Sequence, residues 1–205
     1  MLRRIGIELA THAPFTAAGA VSGIVIMAIV IWANVPANVS EVMFYILHPA
    51  HVLLSAIVPT AMYKRYHSGK LWAAILVGYT SSVGIATLHD SIIPYLAGES
   101  LSVNMQFHIG FIEKWWLVNP AAFLGIFIGY LRPTTKLPHA AHVLVSTWAS
   151  LFYFTAFGGA KWLPLLPWIF LYLFVAVWLI CCFGDIVYPQ LFLGDDQHNH
   201  DETDH

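Results

Sequence analysis

His48-Pro49-Ala50-His51-Val52-Leu53-Leu54-Ser55 is the stretch on which the fold turns, because its pattern returns 91 residues later as His139-Ala140-Ala141-His142-Val143-Leu144-Val145-Ser146. Both copies lie in apolar runs long enough to cross a bilayer, where ionisable side chains are expensive to keep. Two further matches preserve the order. Pro14, Gly19 and Gly23 have the spacing of Pro120, Gly125 and Gly129, and Asp90, Pro94 and Leu96 that of Asp185, Pro189 and Leu191. Small residues recur in any helical membrane protein because they let helices approach. That accounts for the glycines but not for the paired histidines and aspartates. Three matches in register predict a duplicated unit.

Composition sets the class. Of 205 residues, 59% are apolar and only 10% charged, with a mean hydropathy of +0.70. A soluble domain is about a quarter charged, so the chain reads as a polytopic membrane protein whose first partner is the lipid bilayer. A formal charge of −2 and the lack of any basic run argue against a nucleic-acid partner. Cys181 and Cys182 are adjacent and cannot staple distant segments. Met1-Leu2-Arg3-Arg4 before an apolar run resembles a signal peptide, but apolar character continues to Trp32, so an uncleaved first span is expected.

A helix of about 20 apolar residues crosses the hydrocarbon core. Six spans are expected, at about 11–33, 42–63, 71–96, 109–131, 138–158 and 164–190. In the fourth, Glu113-Lys114-Trp115-Trp116 reads equally well as an interfacial turn. Arg3, Arg4, Lys64, Arg65, Lys70, Arg132 and Lys136 fall on one side of this scheme and only Lys114 and Lys161 on the other. The positive-inside rule then puts both termini in the cytoplasm of a cell-membrane protein.

Three spans per unit is an odd number, so the second copy enters from the opposite side. The expected fold is an all-α integral membrane protein of six transmembrane helices arranged as a 3+3 inverted-topology repeat. Residues 1–98 form the first unit, with the outer connection starting at its end, and 99–194 the second. Residues 195–205, rich in His and Asp, form a disordered cytoplasmic tail; such tracts also gather cations loosely.

Residues three and seven apart share a helix face. His48, His51 and Ser55 therefore form one stripe, and His139, His142 and Ser146 another. Imidazole and carboxylate together suit divalent transition metals. Asp90 is the natural third ligand of the first set, with His89 beside it, and Asp185 that of the second, where Gly184 replaces the histidine. His12 joins the second set. His108, Glu113 and Asn119 are accessory to the first. At 1.5 Å per residue, His48 lies roughly 10 Å below the outer end of its helix, and the two sets are expected roughly 10 Å apart in a core about 30 Å thick. His67, in a basic loop, reads as an ordinary surface residue.

The reading is a transporter or channel for a metal ion (Zn, Ni, Mn or Fe) working between two His/Asp clusters. A membrane-embedded metalloenzyme or haem/redox subunit is the alternative, although haem needs axial histidines from different helices. A structural subunit whose histidines only bond neighbouring helices is the third. The pattern is not His-Glu-x-x-His, and no Gly-rich nucleotide loop is present, which leaves no catalytic residue to assign. The sequence is compatible with one copy and with a homodimer.

Overall fold

The computed structural model describes residues 2–66, 70–132, 136–181 and 188, with side chains for 13–65, 70–132, 141–180 and 188. Most of this is helix. The first helix, α1, is Leu2–Trp32 and the second, α2, is Ala37–Tyr66. A continuous helical run, α3, covers Leu71–Ser100 and contains two π-helical turns, Thr80–Gly84 and Leu88–Ile92. After it come a two-residue strand, β1 (Asn104–Met105), a single-turn helix, α4 (Gly110–Glu113), and then α5 (Trp115–Leu131) and α6 (Lys136–Phe157). The strand β2 (Gly158–Gly159) pairs antiparallel with β1. The last described helix, α7, is Leu166–Ala176, flanked by a 3₁₀ turn at Leu163–Leu165 and a π turn at Val177–Cys181.

Among the described residues, four helical runs are long and apolar enough to cross a membrane: Ala13–Trp32, Ala37–Arg65, Leu71–Ser100 and Leu163–Ile180. Trp115–Leu131 and Ala141–Phe157 are apolar but shorter. Prolines lie inside α1, α2 and α5 (Pro14, Pro49, Pro59 and Pro120), a position that membrane helices tolerate better than soluble ones. The expected fourth span differs from what is seen. Its helix starts at Trp115 rather than 109, because Lys114 (φ −124°, ψ 44°) breaks it from α4.

Beside an apolar core, the bundle exposes apolar side chains and encloses polar ones. Val21, Val25 and Ile29 make an exposed apolar stripe on α1, and Phe123, Phe127 and Leu131 another on α5, while Ser40, Ser81, Ser82, Ser91, Thr147 and Ser150 are enclosed. Lipid contact reconciles both halves of that pattern.

The centre is α2, which packs most extensively against α6 and α5. Glycines make those approaches close. A methyl group at Gly125 would collide with the Leu53 carbonyl oxygen and meet Ala56 Cβ at 2.8 Å, and one at Gly129 would run into Ile57. On the other side of the bundle, Gly19 of α1 faces Thr147 and Leu144 of α6, each within 4 Å of where a Cβ would be, and Gly23 faces Thr147 and Leu151. Over one end of the bundle, residues 101–114 are strapped down by the β1–β2 pair and by Gln106 N–H donating to Phe157 O at 2.8 Å.

Gly125→Ala should therefore force α5 off α2 and cost about 1–3 kcal/mol. Gly84→Ala, where nothing lies within 4 Å of the added carbon, should leave the unfolding midpoint in detergent unchanged. Equal midpoints for the two variants would contradict the close approach.

Candidate metal centre

Asp90 is fully buried, and three imidazoles converge on its carboxylate. His48 Nδ1 and His51 Nδ1 lie 2.8 and 2.7 Å from Oδ2, and His89 Nδ1 lies 2.9 Å from Oδ1. All three histidines have zero exposure. The spacing of His48 and His51 puts both on one face of α2, and that face is turned towards α3. The π turn Leu88–Ile92 does the rest. A π turn is wider than an α turn, and His89, Asp90 and Ser91, three consecutive residues, are all enclosed.

Serines from α6 complete the shell. Ser146 Oγ and Ser150 Oγ lie 2.9 and 3.0 Å from His89 Nδ1. Ser150 Oγ also lies 3.2 and 3.1 Å from the carbonyl oxygens of His89 and Ser146, alternative acceptors for its one hydrogen. Ser55 of α2 lies 3.1 Å from Nδ1 of His142 on α6. Carboxylate oxygens accept, so His48 and His51 carry their hydrogens on Nδ1 and keep a lone pair on Nε2. Among the described residues, Nε2 of His48, His51 and His89 has no hydrogen-bond partner and no water access. A buried polar atom without a partner is costly, and an imidazole whose other nitrogen is held by a carboxylate is the form in which histidine binds metals. A nitrogen from His51, one from His89 and an oxygen from Asp90 lie within 4.8 Å of one another, which is close enough for one ion. The gap beside His89, lined by Ile93, Pro94, Ala97, Phe154 and Leu173, is too small for a water molecule.

The expected ligands distribute as follows. His51, His89 and Asp90 form the compact group, and His48 holds the same carboxylate. His142 meets His51 edge to face, ring centroids 4.7 Å apart. The roughly 10 Å separation expected between the two sets therefore does not occur at this level. That estimate treated the helices as independent rods, whereas α2 and α6 are in contact there. Ser55 and Ser146 bond histidines, His142 and His89 respectively. His12 and His139 lie on α1 and α6 with side chains outside the described set, and Asp185 is outside the described residues altogether, as is the tail 195–205. Asn119 is turned to other partners, accepting from Tyr79 Oη at 2.5 Å and donating to Trp115 O at 2.9 Å.

His108 and Glu113 pair with each other at the strap. His108 Nδ1 lies 2.9 and 3.0 Å from the two carboxylate oxygens, and Tyr45 Oη donates to Glu113 at 2.6 Å. Burial alone would raise the Glu113 pKa, but the contacts from Tyr45 and His108 outweigh it and hold the carboxyl below its ordinary value. Two residues of these shells were legible from spacing but not singled out. Ser150 is eight residues after His142 on the same face, and Tyr45 is three before His48.

Asp90→Ala strands the buried imidazole N–H groups of His48 and His51 at about 1–3 kcal/mol each, while His89 keeps Ser146 and Ser150. A loss of about 2 kcal/mol or more is therefore expected in reversible unfolding, above that of Ser55→Ala. The depressed Glu113 pKa means that its contacts stabilise the strap fully above the ordinary carboxylate range and are lost as pH falls below it. Tyr45→Phe should shift that loss to higher pH, read as the fluorescence of Trp115 and Trp116 during acid titration.

No protein-family model, curated protein or solved structure is similar to this chain, so the chemistry of the site is read from its own geometry.

Proposed function

We propose that the chain is a membrane transporter for a divalent transition-metal ion, built from two three-helix halves, 1–98 and 99–194, inserted with opposite topology. The observation that carries the metal reading is the sealed His51–His89–Asp90 group, with its unpartnered imidazole nitrogens. Two imidazoles and a carboxylate favour borderline ions such as Zn, Ni or Fe, with Mn admitted by the oxygen donor.

The two-half reading is supported by contacts between counterparts. His51 and His142 hold the same place in their motifs, and their rings touch. Gly19 lies against Leu144 and Thr147, while Gly125 lies against Leu53 and Ala56. Subtracting the 91-residue repeat offset converts the first pair of neighbours into the second. The first helix of each half thus rests on the second helix of the other, as a two-fold axis through the His51–His142 contact requires. Alternating access arises when such halves rock against each other around a shared site. The absence of room for water beside His89 fits a closed, occluded state. The excess of Lys and Arg on one set of connections supports cytoplasmic termini.

Proteoliposomes containing the full chain and an internal chelating dye should take up one of Zn, Ni, Mn or Fe. His51→Ala and Asp90→Ala should each reduce the initial rate at least tenfold, and uptake should fall as pH drops, because histidine ligands bind metal only when neutral. Equal uptake by protein-free vesicles, or by both variants, would dispose of the transport reading. Purified protein that binds none of the four ions would dispose of the metal reading.

A further inference from the structure

The proposed transport does not use the His108–Glu113 pair, although this solvent-facing pair flanks Gly110, which lies against the buried centre. Tyr45, which bonds Glu113, precedes His48 by one turn of α2, about 4.5 Å along the axis. Three elements hold the pair in place. Tyr45 donates from α2, and Ile109 N–H reaches Glu113 Oε1 at 3.4 Å. His108 is fixed from α6, where its ring stacks on Phe157 at 4.1 Å and its N–H donates to Tyr153 Oη at 2.9 Å. The side chains of His108 and Glu113 remain 29% and 37% exposed. The Lys114 ammonium lies over the rings of Tyr45 and Trp116, 5.2 and 5.4 Å from their centroids.

Gly110, two residues after His108 and three before Glu113, lies directly against the buried centre. A Cβ at that position would be 2.7 Å from His48 Cδ2, 3.1 Å from His48 Nε2 and 3.5 Å from Phe44. The imidazole edge facing Gly110 is the one whose nitrogen is enclosed and without a partner among the described residues. Behind it, Phe44 stacks on the His48 ring at 5.3 Å and limits its retreat.

We infer that His108 and Glu113 form a second cation site, a loading site that takes a divalent transition metal from solvent and delivers it past Gly110 to His48 and the Asp90 centre. This rests on the metal-transport reading. One imidazole nitrogen and a carboxylate make a mixed N/O donor pair suited to the ions that the buried centre takes, with Tyr45 positioning the carboxylate by its hydrogen bond. If the pair only pinned the strap, its loss would loosen residues 101–114 without altering how metal arrives.

The full chain in lipid nanodiscs, mixed with Co²⁺ in a stopped-flow spectrometer, separates these roles by its ligand-field absorbance. Wild type should load in two phases, fast at His108–Glu113 and slower at the buried group. Glu113→Gln should remove the fast phase and slow the second at least tenfold. Gly110→Ala should keep the fast phase and slow the second, and Asp90→Asn should lose only the second. A fast phase of wild-type amplitude in Glu113→Gln, or a single phase in wild type, overturns the loading site and leaves the buried centre standing. Failure of wild type to take up any Co²⁺ overturns both. Should Glu113→Gln not fold, His108→Asn is read by the same criteria.

Discussion

A carboxylate without water, enclosed by apolar helices, is the constraint to which this bundle is fitted. Asp90 cannot be left bare in hydrocarbon, and the donors that satisfy it come from two helices at once. His48 and His51 on α2 and His89 on α3 converge on the two oxygens, while Ser146 and Ser150 bring α6 to His89. A shift of α2 by one residue along its axis would break two of these contacts together. The polar centre therefore fixes the register of three helices that apolar packing alone would hold loosely, because lipid competes with side chains for apolar contact. The glycines serve the same end from outside. Gly125 and Gly129 bring α5 against the backbone of α2, and Gly19 and Gly23 bring α1 against α6.

Much of this was written in the chain in a readable form. Membrane character follows from composition. The histidine pairs and Asp90 stand out because a polar group in an apolar run needs a reason, and the helical period puts His48 and His51 on one face. What spacing could not give was distance across helices. The depth of a residue along its own helix says nothing about how closely two helices cross, so the His51–His142 contact was invisible until the packing of α2 on α6 was known. The two π turns of α3 carry no compositional signature either, and an ideal helix would not have enclosed His89, Asp90 and Ser91 together. Gly110 read as one small residue at the start of the fourth span, because its significance lies entirely in the imidazole it rests on. The start of the fourth span was legible only as a choice between helix and interfacial turn. Lys114 decides it, breaking the chain between α4 and α5.

The strap over the bundle and the centre beneath it form one mechanical unit. Tyr153 ties the two strands of this relation together, accepting from His108 N–H and lying 3.2 Å from the carbonyl oxygens of Gln106 and His108, while its ring meets Phe44 and Phe157 edge to face. Phe44 in turn stacks on His48. An aromatic column thus runs from the surface loop to the first histidine. Because packed side chains have few alternative arrangements, displacement at the loop is conveyed to the imidazole rather than absorbed on the way.

The π turns of α3 have a consequence for how this chain tolerates change in length. Each i→i+5 turn takes up a residue that a regular α-helix would not hold. Removing one residue from Thr80–Gly84 would let that turn close into ordinary helix. Everything downstream would then keep its hydrogen bonds and nearly its face, because the turn had already absorbed the extra residue. Removing one residue from the regular helix instead would turn Asp90 by about 100° out of the bundle interior, without a single side chain having been substituted. In α3, then, the number of residues encodes the site as strictly as their identity, and a comparison by residue type alone would overlook the loss.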